Sequence, residues 1–429
     1  MSSPSDFSFY LLSLGCSKNL VDSENLNGQM QSLGFKLVES SEEANFIIIN
    51  TCGFIQTAKE ESLEIIFEAL ENRPTKQIVV IGCLVQRYFQ ELKKEIPEID
   101  LLYPLFDHNF VTTFCNHFKI DPSKNPIKKQ LTFDNQKKSR YLKIGEGCSN
   151  NCSYCAIPQI RGPKQSYPSE KILTTAKNIL KQGAVELNII AQDISTYSFG
   201  QDDLSSLVKK ISELPKVEWI RLLYAHPDHL NDKIINLIKS NAKVVKYLDL
   251  PFQHVSQTIL KKMGRQGSFQ KYHDLIQKIR TKVPEIRLRS TFMLGFPGET
   301  EENFTELINF IEKTKIDKVG AFIFSPEDKT QAFNFKLQIP EKIKKKRLQI
   351  FMKKQLEISS QKLKKMIGTE VRVIVEEKID PKTYLGRTEF DAPEVDGLFY
   401  LTSDQKITTP IVKAKVTDTI EYDLIGELV

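Results

Sequence analysis

Short β-rich runs alternate with stretches of helical period through the first 120 residues. Phe9–Leu14, Phe46–Asn50 and Gln77–Ile81 are apolar and rich in β-branched and aromatic residues, which predicts strands. Helical patterns near Asp22–Leu33 and Thr57–Glu71 separate them, the first expected to open on Asp22-Ser23-Glu24, an acidic, cap-rich start. Strands alternating with helices imply a parallel sheet with right-handed crossovers, so residues 7–120 are expected to form an open parallel-sheet domain. The stretch Lys119–Arg140 is rich in Lys, Asn, Asp and Pro without apolar periodicity, which sets a linker at residues 121–140.

A longer series of β-runs follows at Tyr141–Ile144, Leu187–Ala191, Trp219–Tyr224, Tyr247–Leu250, Arg287–Leu294 and Val319–Phe324, with helical patterns between them. Six such units in series predict a partial, TIM-like (β/α)6 barrel. A lysine-rich helix, Lys342–Lys365, completes this domain at residues 141–364. Its core side is expected to carry Leu348, Phe351, Met352, Leu356 and Leu363. In residues 365–429 the runs Glu370–Val375, Tyr384–Thr388, Gly397–Leu401 and Ile411–Val416 are separated by turn residues and no helix. They predict a small antiparallel β-barrel, five-stranded and OB-like. The fold class is therefore α/β, with this all-β module at the end.

Composition narrows the class. A length of 429 residues suits about three domains. At 40% hydrophobic and 27% charged the chain is of ordinary globular composition, neither disordered nor collagen-like. The longest apolar runs, such as Phe46-Ile47-Ile48-Ile49, fall far short of the roughly 20 residues that span a bilayer. The first ten residues lack a basic segment and an apolar one, so a cytoplasmic protein is expected. The net charge of +6 is too small to announce a nucleic-acid binder. Its distribution says more. Glu341–Lys364 carries nine basic and two acidic residues, whereas residues 365–429 carry eight basic and thirteen acidic, a balance of −5. An acidic module opposes contact with phosphate backbones and suits a basic protein partner.

Seven cysteines in such a chain are not expected to form disulfides. Cys16, Cys52 and Cys83 each follow a predicted strand, in Ser13-Leu14-Gly15-Cys16, Asn50-Thr51-Cys52-Gly53 and Ile81-Gly82-Cys83-Leu84. The carboxyl ends of parallel strands share one edge of a sheet, so three distant cysteines can converge there on a metal centre. Three buried core cysteines are the plain alternative. A second set, Cys148-x3-Cys152-x2-Cys155, follows the first barrel strand. Three thiolates this close can bind three irons of a four-iron, four-sulfur cluster and leave the fourth open for chemistry. Zinc competes, but a structural zinc site closes on four ligands, and the nearest upstream histidine, His117, lies across the linker. Cys115 has no partner set and reads as structural.

Cys148-x3-Cys152-x-Tyr154-Cys155 after a barrel strand is similar to the signature of radical S-adenosylmethionine enzymes. Together with the three N-terminal cysteines and the all-β (TRAM-like) module, the chain resembles the methylthiotransferase branch of that superfamily. Ser13–Glu24, Asn50–Ile55, Ala58–Ser62, Gly82–Tyr88 and Asp391–Gly397 resemble the relatives that modify a ribosomal protein rather than those that modify transfer RNA. The resemblance implies two 4Fe–4S clusters. One, on Cys148, Cys152 and Cys155, would chelate S-adenosylmethionine and reduce it. The other, on Cys16, Cys52 and Cys83, would present sulfur. A hydrogen would leave the β-carbon of an aspartate in ribosomal protein S-twelve, and a second S-adenosylmethionine would supply the methyl group. Further partners implied are an electron donor and, through the acidic module, the basic substrate itself, with no membrane.

The resemblance and the position on the barrel face make Tyr154, Gln192, Asp193 and Arg289 candidates for binding the cofactor. Tyr154 has the plain alternative of a packing aromatic and Gln192 and Asp193 that of a strand-end cap or turn; the loop Gly295–Thr300 fits the same face as Arg289, though its glycines and proline need no more than a tight strand-to-helix turn. His254 reads equally as a satisfied core residue. No catalytic side chain is expected beyond the clusters. Two other functions stay open: the same chemistry on transfer RNA, which the basic helix favours and the acidic module opposes, and a non-catalytic iron–sulfur or zinc protein that binds RNA or senses redox state.

Overall fold

The computed structural model describes residues 3–124 and 137–429; most of the expected linker thus lies outside the described residues. The chain forms two compact units. One holds the described residues up to 124 with 146–149 and 155–164, and the other holds 137–145, 150–154 and 165–429.

In the first unit, β1 (Ser8–Ser13), β2 (Lys36–Leu37), β3 (Phe46–Thr51), β4 (Gln77–Gly82) and β5 (Leu101–Tyr103) form one sheet in the order β2-β1-β3-β4-β5. Every pairing is parallel. The central strand β3 is buried at each residue, because helices cover both faces. Side chains alternate across it: Phe46 and Ile48 pack with Phe9, Met30 and Phe114, whereas Ile47 and Ile49 pack with Ile66, Val80 and Leu84. The crossovers are α1 (Ser17–Ser32), α2 (Gln56–Leu70) and α3 (Cys83–Glu95), and α4 (Phe110–His117) follows β5. Strands β2 and β5 are two and three residues long, too short to leave a pattern in the sequence. Cys115 lies buried in the α4 core, as does Ile120, so the linker starts later than the composition at Lys119 suggests.

One expectation fails here. Helix α1 does not open at Asp22; it begins at Ser17 with Cys16 at its N-cap. Asp22 and Ser23 are buried inside the helix. Asp22 pairs with Arg161 at 3.1 Å and Ser23 donates to Ser13 at 2.9 Å, so tertiary partners rather than helix ends use these polar groups.

In the second unit, six parallel strands form an open curved sheet. They are β6 (Ser139–Lys143), β7 (Glu186–Ile190), β8 (Trp219–Leu222), β9 (Val244–Asp249), β10 (Arg287–Leu294) and β11 (Lys318–Ile323), in sequential order. The expected partial barrel is present, its strand ends within a few residues of those read from the pattern. The C-terminal module, β12 (Glu370–Lys378), β13 (Thr383–Thr388), β14 (Phe399–Thr402), β15 (Ile411–Ile420) and β16 (Asp423–Leu428), closes as a barrel. Two details differ from expectation. The fifth strand, β16, lies beyond the four runs read from the sequence. It pairs in parallel with β14, because the β15–β16 hairpin brings the chain back along β14, so the barrel is not wholly antiparallel.

The helix Glu341–Lys364 buries Lys344, Arg347, Phe351, Gln355, Ile358, Ser359 and Leu363, while Leu348, Met352 and Leu356 are only half-buried. Phe351 and Leu363 face inward as expected, but Ile358 and polar residues, rather than Leu348, Met352 and Leu356, complete the inner face. Lys344 donates to the Phe324 carbonyl at 2.8 Å, Arg347 meets Glu299 at 2.6 Å, and Gln355 donates to the Ile316 carbonyl at 3.2 Å. Polar ends satisfied by loop carbonyls and a carboxylate make this face buriable. No helix among the described residues is long and apolar enough to cross a membrane.

The module and the barrel are joined through buried charge. Glu186, at the start of β7, meets Arg221 of β8 at 2.9 Å and Arg387 of β13 at 2.8 Å, and all three side chains are at most 1% exposed. Asp391 pairs with Lys318 at 2.5 Å. Asp396 accepts from Tyr247 at 2.7 Å and stands 3.4 Å from Arg289. The segment Asp391–Gly397 thereby holds the module to the strands of the barrel.

Candidate functional site

In the first unit, Cys52 follows β3 directly, Cys83 follows β4 directly, and Cys16 stands three residues beyond β1. These three strands are neighbours in the sheet. Adjacent strands lie about 4.8 Å apart, so the three thiols come from loops less than about 10 Å apart across the sheet edge. Two glycines bring the loops into contact. A Cβ built on Gly15 would stand 2.8 Å from the Cys52 sulfur, and one on Gly53 would stand 2.7 Å from the Leu84 backbone. Only a residue without a side chain permits either approach.

Asparagines lock the same loops. Asn19, in α1, donates to the carbonyls of Leu14 at 3.0 Å and Thr51 at 2.9 Å. Asn50 donates to the Asn19 carbonyl and to Ser23, each at 2.9 Å. Cys52 is clasped by Ser62, which accepts from its N–H at 3.1 Å and donates to its carbonyl at 3.0 Å. Arg161, at the end of α5 (Ile157–Arg161), reaches Asn19 at 2.6 Å, Glu146 at 2.9 Å, Asp22 at 3.1 Å and the Cys83 sulfur at 3.5 Å.

Burial pushes the Cys83 thiol up to about 12, with Arg161 opposing it and Cys16 and Cys52 adding to it. Burial also raises Cys52, with Cys16 adding to it. The Cys52 and Cys83 thiols thus resist carrying a negative charge unless cationic charge joins them. A metal supplies that charge and takes thiolates as ligands. Cys16 is exposed whereas Cys52 and Cys83 are buried, so the trio has a solvent side. Among the described residues no group of three His, Cys, Asp or Glu side chains is placed to hold a metal ion, so the case for a centre here rests on the convergence of the three loops. A cubane distributes its ligands over several irons, and three thiols from three loops beside a guanidinium suit it.

The second cysteine set lies on the loop 147–155. In the first unit, the Cys148 N–H donates to the Gly162 carbonyl at 3.1 Å, and a Cβ on Gly147 would stand 2.1 Å from the Pro163 oxygen. In the second unit, Ser153 donates through its N–H to Met263 at 3.1 Å and through its hydroxyl to Lys262 at 2.7 Å. Cys148, Cys152 and Cys155 are all half-buried. Tyr154 accepts from Arg265 at 3.3 Å and sets its ring edge-on to Phe296 at 6.5 Å.

Gln192 and Asp193 follow β7, at the carboxyl end of the barrel strands where active sites form. Gln192 is half-buried. One Asp193 oxygen accepts from the N–H groups of Ser195 at 3.0 Å and His226 at 3.3 Å; the other accepts from Asn150 at 3.2 Å and His229 at 2.7 Å. Four bonds fill a carboxylate. Asp193 therefore ties the cysteine loop to the loop after β8. Burial would raise its pKa, but the bonds from His229 and Asn150 prevail and lower it.

Arg289 is committed as well, standing 3.4 Å from both Asp249 and Asp396. Buried His254 accepts from the N–H groups of Val255 and Ser256, each at 2.9 Å, and stays within the core. The structure thus gathers Cys16, Cys52 and Cys83 at one edge. It adds Arg161, Asn19, Asn50 and His229, which sequence reasoning did not single out. Asn19 and Asn50 do lie inside the motif segments quoted above; Arg161 and His229 leave no spacing signal.

Three family models match the chain: "Uncharacterized protein family UPF0004" over residues 8–104, the radical SAM superfamily over 142–311 and a TRAM domain over 367–429. The chain is similar to the ribosomal protein uS12 methylthiotransferase RimO of Alkaliphilus oremlandii, with 40% identity over 97% of this chain and 98% of the relative. The protein of that name from Geobacter sulfurreducens is 38% identical over 98% of each chain. Among solved structures, the radical S-adenosylmethionine methyltransferase TsrM of Kitasatospora setae superposes with a TM-score of 0.56, covering 77% of each chain at 12% identity. That likeness speaks to the fold alone.

Proposed function

The chain belongs to the ribosomal protein uS12 methylthiotransferase family of radical S-adenosylmethionine enzymes, and from that membership we propose that it methylthiolates the β-carbon of an aspartate in uS12. When bound, two 4Fe–4S clusters and S-adenosylmethionine supply the radical chemistry, the sulfur and the methyl group.

In this reading Cys148, Cys152 and Cys155 hold one cluster, and Cys16, Cys52 and Cys83 hold the other. Gly15 and Gly53 keep the N-terminal loops close enough for their thiolates to share a ligand. Arg161 offsets the negative charge that three thiolates bring together, and Asn19 fixes the loops on which they sit. Asp193 anchors the cysteine loop through Asn150 and so sets the position of Cys152. Tyr154 and Gln192 remain the side chains assigned to S-adenosylmethionine, whereas Arg289 braces the barrel against the module.

The C-terminal module is the proposed contact for the basic substrate. Asp391 and Asp396 are turned to barrel cations, yet nine exposed carboxylates face six exposed lysines on the rest of the module. That acidic surface favours encounter with a basic protein over contact with phosphates. An external electron donor is required, and the substrate places the reaction in the cytoplasm.

The observation that carries this reading is the convergence of three thiol-bearing loops at one sheet edge, pressed together at two glycines beside a buried arginine. The test is anaerobic reconstitution with iron and sulfide, followed by S-adenosylmethionine, reductant, and either uS12 or transfer RNA. A methylthio mass gain on an aspartate of uS12 is expected. A gain confined to the RNA overturns the substrate, and iron without cleavage of S-adenosylmethionine overturns the enzyme.

A further inference from the structure

We propose that His229, held against Asp193, is the group that receives the side-chain carboxylate of the target aspartate. The inference rests on the substrate reading above and adds a residue that decides specificity. An aspartate brought to the barrel mouth carries a charge that must meet a cation or a donor when water is excluded. The loops at the carboxyl ends of the strands hold few candidates. Arg265 is buried and spends its terminal nitrogens on the Pro251 carbonyl at 2.8 Å and on Tyr154 at 3.3 Å. Lys271 pairs with Asp228 at 3.0 Å. Arg289 faces Asp249 and Asp396.

His229 differs from these. Its Nδ1 meets Asp193 at 2.7 Å while its side chain stays 37% exposed. A carboxylate accepting from Nδ1 fixes the ring, and Nε2 becomes a second donor, aimed outward, once the ring is protonated. His226 stacks on it at 4.6 Å, and its own Nδ1 accepts from the Asp228 N–H at 3.2 Å. A neutral ring thus packs against the face of a ring that can carry charge, and steadies it. The charged groups around His229 are Asp193 and Asp228, which favour its protonation, and Arg265, which opposes it. With Lys271 included, two carboxylates face three cations when His229 is protonated, leaving one positive charge for an incoming carboxylate. Burial pushes His226 down to about 4, so it adds none at neutral pH.

The test measures the affinity of the reconstituted holoenzyme, without reductant, for uS12 and for uS12 with its target aspartate changed to asparagine. The wild type is expected to prefer the aspartate form by about tenfold or more, the worth of one charge-assisted hydrogen bond. The preference should shrink as pH rises through the His229 pKa. H229Q should bind both forms alike, and H229K should restore the preference and keep it at high pH. A wild type without preference, H229Q that retains it, or H229K that fails to restore it overturns the inference while leaving the uS12 reading intact. Failure of the wild type to bind uS12 in either form overturns the reading itself, and this inference with it.

Discussion

Two buried guanidinium groups, Arg387 and Arg161, occupy outwardly similar places and serve different ends. Arg387 meets Glu186, Glu376 and the Asp391 carbonyl at 2.7–2.8 Å, and Arg221 shares Glu186. Every charge there has its counter-charge, so the assembly holds two domains together and has nothing left to react. Arg161 also has two carboxylates, Asp22 and Glu146, but its fourth neighbour is the Cys83 thiol. Buried charge alone does not mark a functional site; buried charge beside a thiol is a stronger sign of one. The same contrast separates Arg289, already engaged, from His229, whose second ring nitrogen stays available.

Removing thiols should give the largest effects. Cys148→Ala should abolish cleavage of S-adenosylmethionine, whereas Cys52→Ala should spare cleavage and stop sulfur insertion, as product analysis of the reconstituted proteins would show. Full methylthiolation by Cys52→Ala would break the comparison, since the Arg161 site would then be structural too.

Glu186→Gln comes next. It leaves two buried guanidinium groups short of a carboxylate, which costs about 3–5 kcal/mol, and thermal melting should fall while iron content holds. Burial would raise the Glu186 pKa, but Arg387 and Arg221 bring it down to about 2. Since the folded value lies below the unfolded one, its stabilisation is complete above the ordinary carboxylate range near 4.5 and is lost as pH falls toward 2. Melting curves of wild type and E186Q should therefore converge in acid.

Arg161→Met should show the reverse pattern. Iron affinity at the N-terminal site should fall roughly 10–100-fold, as for other partners of metal ligands, with a smaller change in melting temperature. The smallest effect belongs to the Asp193–His229 pair. Its hydrogen bond raises the folded pKa of His229, so its stabilisation is full below the unfolded value near 6.5 and fades as pH rises through the folded one. Asp193→Asn should remove that dependence, and histidine NMR titration measures it directly.

Much of the architecture was legible because it rests on long periodic runs. The strands ahead of Cys16, Cys52 and Cys83 are apolar on both faces, and their shared edge follows from parallel topology. What escaped was set by contacts distant in sequence. Asp22 reads as a helix cap until Arg161, 139 residues away, claims it. Lys344 and Arg347 read as solvated until the Phe324 carbonyl and Glu299 receive them. Asp193 reads as a strand-end polar residue, and nothing in the sequence shows that donors from three segments meet its two oxygens. Hydrophobic patterning carries no record of such polar partnerships, and these are what assemble the candidate site.

Iron content after anaerobic reconstitution tests the central claim most directly. The account predicts about eight irons per wild-type chain, and about four in each of two triple variants, one lacking Cys16, Cys52 and Cys83 and the other lacking Cys148, Cys152 and Cys155. A correctly folded N-terminal triple variant that keeps the full wild-type iron, or a wild type that takes up zinc in its place, would contradict it.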